Sequence, residues 1–101
     1  MTANNIQDYQ MFIDGQWTEA ENNQRFESTN PENNKPWSSF PDATVNDVNN
    51  AVAAAKNAFK SWSLSDVKIR AQYLRAIGDQ LKNNAEHIGK IETIDSGKPV
   101  S

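Results

Sequence analysis

Two β-prone runs meet at one Asp-Gly pair in the stretch Met11-Phe12-Ile13-Asp14-Gly15-Gln16-Trp17-Thr18. A tight two-residue turn between paired strands needs positive φ at both central positions, and Asp followed by Gly meets that need well. The flanking runs contain aromatic and β-branched residues, which favour extended backbone. The stretch therefore predicts a β-hairpin that turns at Asp14 and Gly15.

Two further extended runs, residues 25–29 and 37–40, flank a segment rich in turn-forming residues. This segment, residues 30–36, is composed mainly of Asn and Pro, which connect neighbouring antiparallel strands. We therefore predict a second hairpin. Between the two hairpins, residues 19–24 are polar and include two asparagines, so we expect a flexible loop there.

The spacing of apolar residues becomes helical after Asp42. Thr44 stands three residues before Asp47, a capping-box arrangement in which Thr accepts from first-turn amides and the acid complements the helix dipole. Apolar residues then recur at intervals of four and three, which places them on one face of a first helix. They are Val48, Val52, Ala55, Phe59 and Trp62.

A second helix is predicted to begin after Ser63 or Ser65. Its apolar stripe consists of Ile69, Tyr73, Ile77 and Leu81. The pair Asn83-Asn84 is a weak point where this helix kinks or restarts, so the segment holds two or three helices in all. The last helical residue is expected near Ser96, because Gly97 adopts the left-handed backbone readily and Pro99 prevents continuation.

The chain thus divides into a flexible start at residues 1–8, hairpins at residues 9–42 and helices at residues 43–101. Its 101 residues carry a net charge of −3, with 37% hydrophobic and 23% charged residues, and they show no basic stripe. We therefore expect a soluble protein that binds neither nucleic acid nor membrane. The absence of cysteine excludes disulfides and thiolate chemistry within this chain, and we predict a cytoplasmic location.

Each candidate for chemistry also has a plain structural interpretation. His87 is the only histidine, without a Cys, Ser or second His placed to make it the partner of a nucleophile, and we expect it at a surface or interface. The carboxylates of Glu86, Glu92 and Asp95 resemble a solvated helix face more than an acid–base pair. Gly97-Lys98 is not a phosphate loop, because a helix ends there instead of beginning. The aromatic residues of the strands and stripes are expected to form core.

Five short stretches, taken together, resemble the beginning of the aldehyde dehydrogenase superfamily. Each is weak alone, but their order and spacing match the family over nearly all of residues 9–101. They are Phe12-Ile13-Asp14-Gly15-Gln16-Trp17, Phe26-Glu27-Ser28-Thr29-Asn30-Pro31, the helical pattern from Asp47 to Ala55, the pattern from Ala58 to Trp62, and Glu92-Thr93-Ile94-Asp95-Ser96-Gly97-Lys98-Pro99.

The resemblance implies an α/β fold: two β-hairpins followed by two or three α-helices, forming the N-terminal part of a cofactor-binding domain and an incomplete domain by itself. A complete member oxidises an aldehyde to a carboxylic acid through a cysteine thiohemiacetal, with NAD or NADP as hydride acceptor, and is expected to be a homo-oligomer. In complete members the catalytic and cofactor-binding residues lie beyond the position of residue 101. We therefore assign no catalytic or cofactor-binding residue here, and expect the isolated chain to be inactive and to bind no cofactor.

One site of the family falls on residues of this chain. In a number of members a monovalent cation, potassium or sodium, lies between a backbone carbonyl just before the Asn-Pro pair and the aspartate of the last motif. The matching positions are Thr29 and Asp95. A hard cation prefers oxygen ligands, although Asp95 has the simpler alternative role of capping or solvating the helix end.

A second interpretation of the whole chain is a noncatalytic module, either standing alone or truncated, that packs against other subunits. If the chain is instead the N-terminal part of an aldehyde dehydrogenase, the apolar stripes of the helices are expected to pack against a sheet from elsewhere in the domain. We therefore expect those stripes to be partly bare in the isolated chain.

Overall fold

The computed structural model describes residues 6–99, which form small sheets followed by three helices. The strands are β1 (Gln7–Asp8), β2 (Met11–Ile13), β3 (Gln16–Thr18), β4 (Arg25–Asn30) and β5 (Lys35–Pro41). The helices are α1 (Val45–Trp62), α2 (Val67–Asn83) and α3 (Ala85–Ser96). The predicted α/β arrangement of two hairpins followed by helices is confirmed.

The first hairpin pairs β2 with β3 through the predicted Asp-Gly turn. Asp14 has φ 54° and Gly15 has φ 74°, so both central residues adopt the positive φ that this turn requires. Phe12 lies directly opposite Trp17, and their ring centroids are 4.8 Å apart. This aromatic cross-strand pair stabilises the register.

The second hairpin pairs β4 with β5 and belongs to a three-stranded sheet of order β1-β5-β4. Asn34 in its turn has φ 59°, a conformation that Asn tolerates better than other residues with a side chain. β1 runs parallel to β5, and the Tyr9 amide donates to the Ser39 carbonyl at 3.0 Å. The prediction that residues 1–8 are a flexible start is thus wrong for Gln7 and Asp8, because both residues pair with β5. Residues 1–5 of that start lie outside the described residues.

The predicted capping box opens α1. Thr44 Oγ1 accepts from the Asp47 amide at 3.1 Å, and the Asp47 carboxylate accepts from the Thr44 amide at 2.9 Å. The same carboxylate also accepts from the Glu21 amide at 3.2 Å, and Asp47 is 8% exposed. Asp47 therefore joins the loop of residues 19–24 to the start of α1. The loop predicted to be flexible is therefore hydrogen-bonded to the start of a helix through Glu21, and its flexibility stays a prediction.

The predicted break at Asn83-Asn84 separates α2 from α3. α2 ends at Asn83, Asn84 adopts a non-helical φ of −111°, and α3 begins at Ala85. α2 begins at Val67, after Ser65 as predicted, and the Asp66 carboxylate provides the N-cap by accepting from the Lys68 amide at 2.9 Å. α3 ends at Ser96 as predicted, and the following Gly97 has φ 77° and donates its amide to the Thr93 carbonyl.

Apolar burial is sparse in this fold. Among the described residues, Ala20 and Pro41 are the apolar side chains that are buried, while Tyr73, Ile77 and Leu81 on the α2 stripe are 58%, 57% and 57% exposed. The expectation of partly bare stripes is therefore confirmed. The expectation that the aromatic residues form core is wrong within this chain, because side chains such as Trp17 and Phe59 remain 67% and 64% exposed. Within residues 6–99, no helix is both long and apolar enough to cross a bilayer.

We predict that Gly97→Ala destabilises the fold. At φ 77° a side chain is strained, and a Cβ atom would also lie 3.1 Å from Pro31 Cγ. The left-handed backbone alone costs roughly 1–2 kcal/mol for a residue with a side chain. The matched control is Gly78→Ala in the middle of α2, where an added Cβ meets nothing within 4 Å and alanine should stabilise the helix. Urea unfolding followed by circular dichroism measures both, and equal effects of the two substitutions would contradict the prediction.

We also predict that Asp47 makes the fold sensitive to acid. The hydrogen bond from the Thr44 amide holds the pKa of Asp47 below its ordinary value. Desolvation opposes this shift with a smaller effect, and the hydrogen bond from the Glu21 amide adds to it. Because the pKa is lower in the folded state, the contribution of Asp47 is present above the ordinary Asp range, about pH 4, and disappears as the pH falls through the lowered pKa. Thermal unfolding between neutral and acidic pH should show a steeper loss for the natural chain than for Asp47→Asn. If the melting temperatures of the natural chain and of Asp47→Asn fall in parallel as the pH is lowered, the prediction is refuted.

Candidate functional site

The end of α3 meets the second hairpin through one carboxylate. Asp95 Oδ1 accepts a hydrogen bond from Ser28 Oγ at 2.5 Å and another from the indole Nε1 of Trp37 at 3.0 Å. The partners are 67 and 58 residues away in the chain, so these bonds fix tertiary structure. Asp95 therefore connects the last helix to both strands of the hairpin.

A β-bulge explains how two strands supply donors to one oxygen. Ser28 lies opposite Ser38, but Thr29 lies opposite Pro36, so Trp37 is an extra residue on β5. Bulges twist a strand locally and redirect a side chain. Here the indole of Trp37 reaches the same carboxylate as the hydroxyl of Ser28.

These two donors also favour the charged form of Asp95. The Ser28 hydroxyl, and next the Trp37 indole N–H, hold the pKa of Asp95 below its ordinary value, against a smaller opposing effect of desolvation. Hydrogen bonds donated to a carboxylate favour its ionised form. Like any aspartate Asp95 is an anion at neutral pH, and these bonds offset the helix dipole, which disfavours negative charge at the end of a helix.

A cleft of about 430 Å³ lies beside this contact, between the hairpin turn and the end of α3. Its lining includes Pro31 and Glu32 from the turn and Thr93, Ser96 and Gly97 from the helix end. The carboxylate of Glu32 and the carbonyl groups at the end of α3 contribute negative electrostatic potential to this cleft. The arrangement favours a cation over an anion.

The two predicted cation ligands, Thr29 and Asp95, lie on the strand and the helix that meet here, but neither is among the residues that line the cleft. Thr29 directly follows Ser28, whose hydroxyl is bound to Asp95. Across residues 6–99, no cluster of three or more His, Cys, Asp or Glu side chains is placed to hold a metal. One carboxylate with backbone carbonyls suits a weakly bound monovalent ion better than zinc or calcium. The residues present fit part of such a site, and the cation stays a prediction.

The other candidates are not brought together. His87 is exposed on α3, and the Glu86 carboxylate faces the Lys90 ammonium on the same helix at 3.7 Å. The Glu86–Lys90 pair is an exposed helical ion pair of the kind that contributes little. Gly97 and Lys98 follow the end of α3, so the interpretation of a helix stop is confirmed.

Two polar networks were missed by sequence reasoning. One is the pair Ser28 and Trp37, which becomes visible only once the bulge is known. The other centres on Arg25, whose guanidinium donates to Glu19, to the Tyr9 carbonyl and to Ser39 Oγ at 2.9 Å. Ser39 in turn donates to Asp8 at 2.7 Å. An arginine at the start of a mostly polar strand carries no signal of such partners.

Comparison with known proteins gives one consistent family. The family model described as "Aldehyde dehydrogenase family" matches residues 17–101. Aminoaldehyde dehydrogenase 1 (peroxisomal) of Pisum sativum is 41% identical over 96 residues, and betaine aldehyde dehydrogenase (chloroplastic) of Beta vulgaris is 40% identical over 95 residues. These alignments cover 90% and 89% of this chain and 19% of each relative.

A solved structure agrees with these relatives. Betaine aldehyde dehydrogenase from Staphylococcus aureus in complex with NAD+ superposes with a TM-score of 0.87 at 33% identity, over 90% of this chain and 18% of that one. The chain thus spans about a fifth of the length of the proteins it matches. Its fold corresponds to the N-terminal part of an aldehyde dehydrogenase domain.

We predict that Asp95→Asn weakens the response to potassium of an enzyme that contains this segment. The substitution keeps the size of the side chain but removes the charge that attracts a cation. The test uses a chimera in which residues 6–99 replace the matching segment of the Staphylococcus aureus enzyme, with thermal stability measured in potassium chloride and in choline chloride. Asp79→Asn, on α2, is the matched control and should leave the response unchanged. An unaltered potassium response in Asp95→Asn would exclude Asp95 as a ligand.

Proposed function

The chain belongs to the aldehyde dehydrogenase family, and from that premise we propose that it forms the N-terminal part of an NAD-dependent enzyme that oxidises an aldehyde to a carboxylic acid. The observation that carries this proposal is the match of its fold to an NAD-bound betaine aldehyde dehydrogenase over 90% of the chain. The family match over residues 17–101 supports it independently of that superposition. NADP remains the alternative acceptor.

The contribution of this segment to the enzyme is architectural. The reaction needs a nucleophile that adds to the aldehyde, and NAD accepts the hydride from the resulting adduct. The chain contains no cysteine, so the thiolate of the proposed reaction comes from elsewhere in the enzyme. What this chain supplies is two hairpins, three helices and the apolar faces with which α2 and α3 meet the rest of the domain.

Those apolar faces are continuous across the break between α2 and α3. A cavity of about 520 Å³ runs along them and is lined by residues of both helices, including Tyr73, Ile77, Leu81 and Ile88. Exposed apolar surface of this kind is unfavourable in water and marks an interface. In an α/β domain such faces cover a sheet, which supports the proposal that the remainder of the domain packs here.

The relatives suggest a substrate class. Those named above act, by their names, on aminoaldehydes and on betaine aldehyde. We extend the proposal to an aldehyde that carries an amino or quaternary ammonium group. Cytoplasmic location and homo-oligomeric assembly stay predictions from the sequence and the family resemblance.

The chimera described above tests the proposal. If residues 6–99 are a working N-terminal segment, the chimera should fold, bind NAD and reduce it in the presence of betaine aldehyde. The natural Staphylococcus aureus enzyme serves as the positive control, and the same enzyme with this segment deleted serves as the negative control. A chimera that is folded by calorimetry but reduces no NAD would overturn the proposal.

The 101-residue chain alone is the second arm of the test. Without a thiolate it should reduce no NAD with any aldehyde, and calorimetric titration should detect no binding of NAD. Amide exchange on the same sample addresses the alternative of a noncatalytic module. Strong protection of all three helices would favour a self-sufficient module, whereas fast exchange along α2 and α3 would favour a segment that needs the rest of the domain.

A further inference from the structure

We infer that a second apolar face of α2 is a docking surface for another helix of the enzyme, one that carries carboxylates along one flank. The inference rests on the proposed function, because the partner helix is assigned to the part of the enzyme outside this chain. It concerns a face of α2 different from the one that lines the cavity with α3.

The second face consists of apolar residues that recur along α2 at intervals of four, three, four and three. It is here called the heptad face and is formed by Val67, Ala71, Leu74, Gly78 and Leu81. This spacing keeps the residues on one side of the helix, and it is the spacing with which two helices pack along each other. Val67 and Leu74 are 68% and 69% exposed, and of the five residues only Leu81 lines the cavity. A helix that packs through one face needs one apolar stripe, so the heptad face indicates a second neighbour.

Gly78 indicates that this neighbour approaches closely. Glycine in the middle of a helix is unfavourable relative to alanine, and this chain does not itself require a glycine here. Apart from the backbone of its own helix, nothing in residues 6–99 lies within 4 Å of a Cβ atom added at Gly78. The small residues Ala71 and Gly78 alternate with the larger members of the face, which leaves depressions that side chains of a facing helix can fill. The shape of the heptad face therefore favours a helix as the partner.

A row of three cations runs along one flank of the heptad face. Lys68, Arg75 and Lys82 are exposed and recur every seven residues, each one position after a large apolar member of the face. Within residues 6–99 none of them is salt-bridged, even though Asp79 lies four positions after Arg75 on the same helix. Charges that flank an apolar seam select the partner helix by complementarity. The row therefore favours a partner with carboxylates on the matching flank.

Two other occupants fit this surface less well. A second copy of α2 would offer no carboxylate, because its heptad face lies between the cation row and the cavity, which no carboxylate of the described residues lines. Nucleic acid requires a more extended basic surface than three cations in a chain of net charge −3. The chain covers 19% of the length of the Pisum sativum relative, so the larger part of such an enzyme is available to supply the helix.

The first experiment identifies the partner in the chimera that carries residues 6–99 in the Staphylococcus aureus enzyme. A carbodiimide joins lysine amines to carboxylates that contact them, and mass spectrometry identifies the joined peptides. We expect Lys68 and Lys82 to be joined to carboxylates on one helix of the Staphylococcus aureus part. Enzyme assembled from isotope-labelled and unlabelled subunits separates links within a subunit from links between copies. Lys60 on α1 is the control and should not be joined to that helix.

The second experiment tests shape and charge through the melting temperature of the same chimera. Gly78→Ala should lower it, because the added methyl group meets the partner helix; in the chain alone, where that partner is absent, alanine favours α2. Gln72→Ala, on the same helix but away from the heptad face, is the matched control and should not lower it. Arg75→Glu should lower the melting temperature more at low salt than at high salt, whereas Lys60→Glu should have little effect.

Three results would overturn the inference. They are links from Lys68 and Lys82 to a strand or to a second copy, no links from either lysine, and a Gly78→Ala chimera that melts at a higher temperature than the unsubstituted one. The proposed function fails separately, when the unsubstituted chimera is folded but reduces no NAD.

Discussion

Hydrogen bonds between distant segments hold this fold together, because apolar burial hardly contributes within it. Ala20 and Pro41 are the apolar side chains that are buried among the described residues, and the largest apolar side chains of the three helices face solvent. A domain usually obtains its stability from apolar surface removed from water. Where that contribution is small, the relative placement of helices and hairpins rests on the few polar groups that connect them.

Two aspartates provide those connections, and they do so at opposite ends of helices. Asp47, at the start of α1, binds the amides of Thr44 and Glu21 and so attaches the loop between the hairpins. Asp95, at the end of α3, binds Ser28 and Trp37 and so attaches the second hairpin. The helix dipole favours the first position and opposes the second. The charge of Asp95 is instead favoured by two side-chain donors from the distant hairpin, both bound to a single oxygen.

Much of the local structure follows from the sequence because local rules govern it. The Asp14-Gly15 turn, the capping box of Thr44 and Asp47, and the stop at Gly97 each depend on residues within a few positions of one another. The strand at Gln7–Asp8 could not be predicted in this way, because its partner β5 lies about 30 residues further along and its own sequence carries no β pattern. The start of α2 after Ser65 was predicted, but Asp66 as its cap was not, because serine and aspartate are both good N-cap residues.

The candidate site shows the same difference between features set by nearby residues and features set by distant pairing. Thr29 and Asp95 were chosen by resemblance, and the structure brings the two stretches that contain them into contact. Ser28 and Trp37 could not be chosen, because the bulge that turns Trp37 toward Asp95 depends on the pairing of two strands and leaves no mark in the order of residues. A pattern of spacing identifies which segments meet, but the side chains that bind depend on the register in which they meet.

The contact between these two stretches gives the family resemblance a physical meaning. Phe26-Glu27-Ser28-Thr29-Asn30-Pro31 and Glu92-Thr93-Ile94-Asp95-Ser96-Gly97-Lys98-Pro99 are short and weak as separate motifs, yet in the fold each provides what the other requires. Ser28 donates to Asp95, and Gly97 leaves space for Pro31. A change at either member of these pairs alters the other's environment, so the residues are constrained jointly. The two motifs are therefore one structural unit, assembled from the beginning and the end of the described chain.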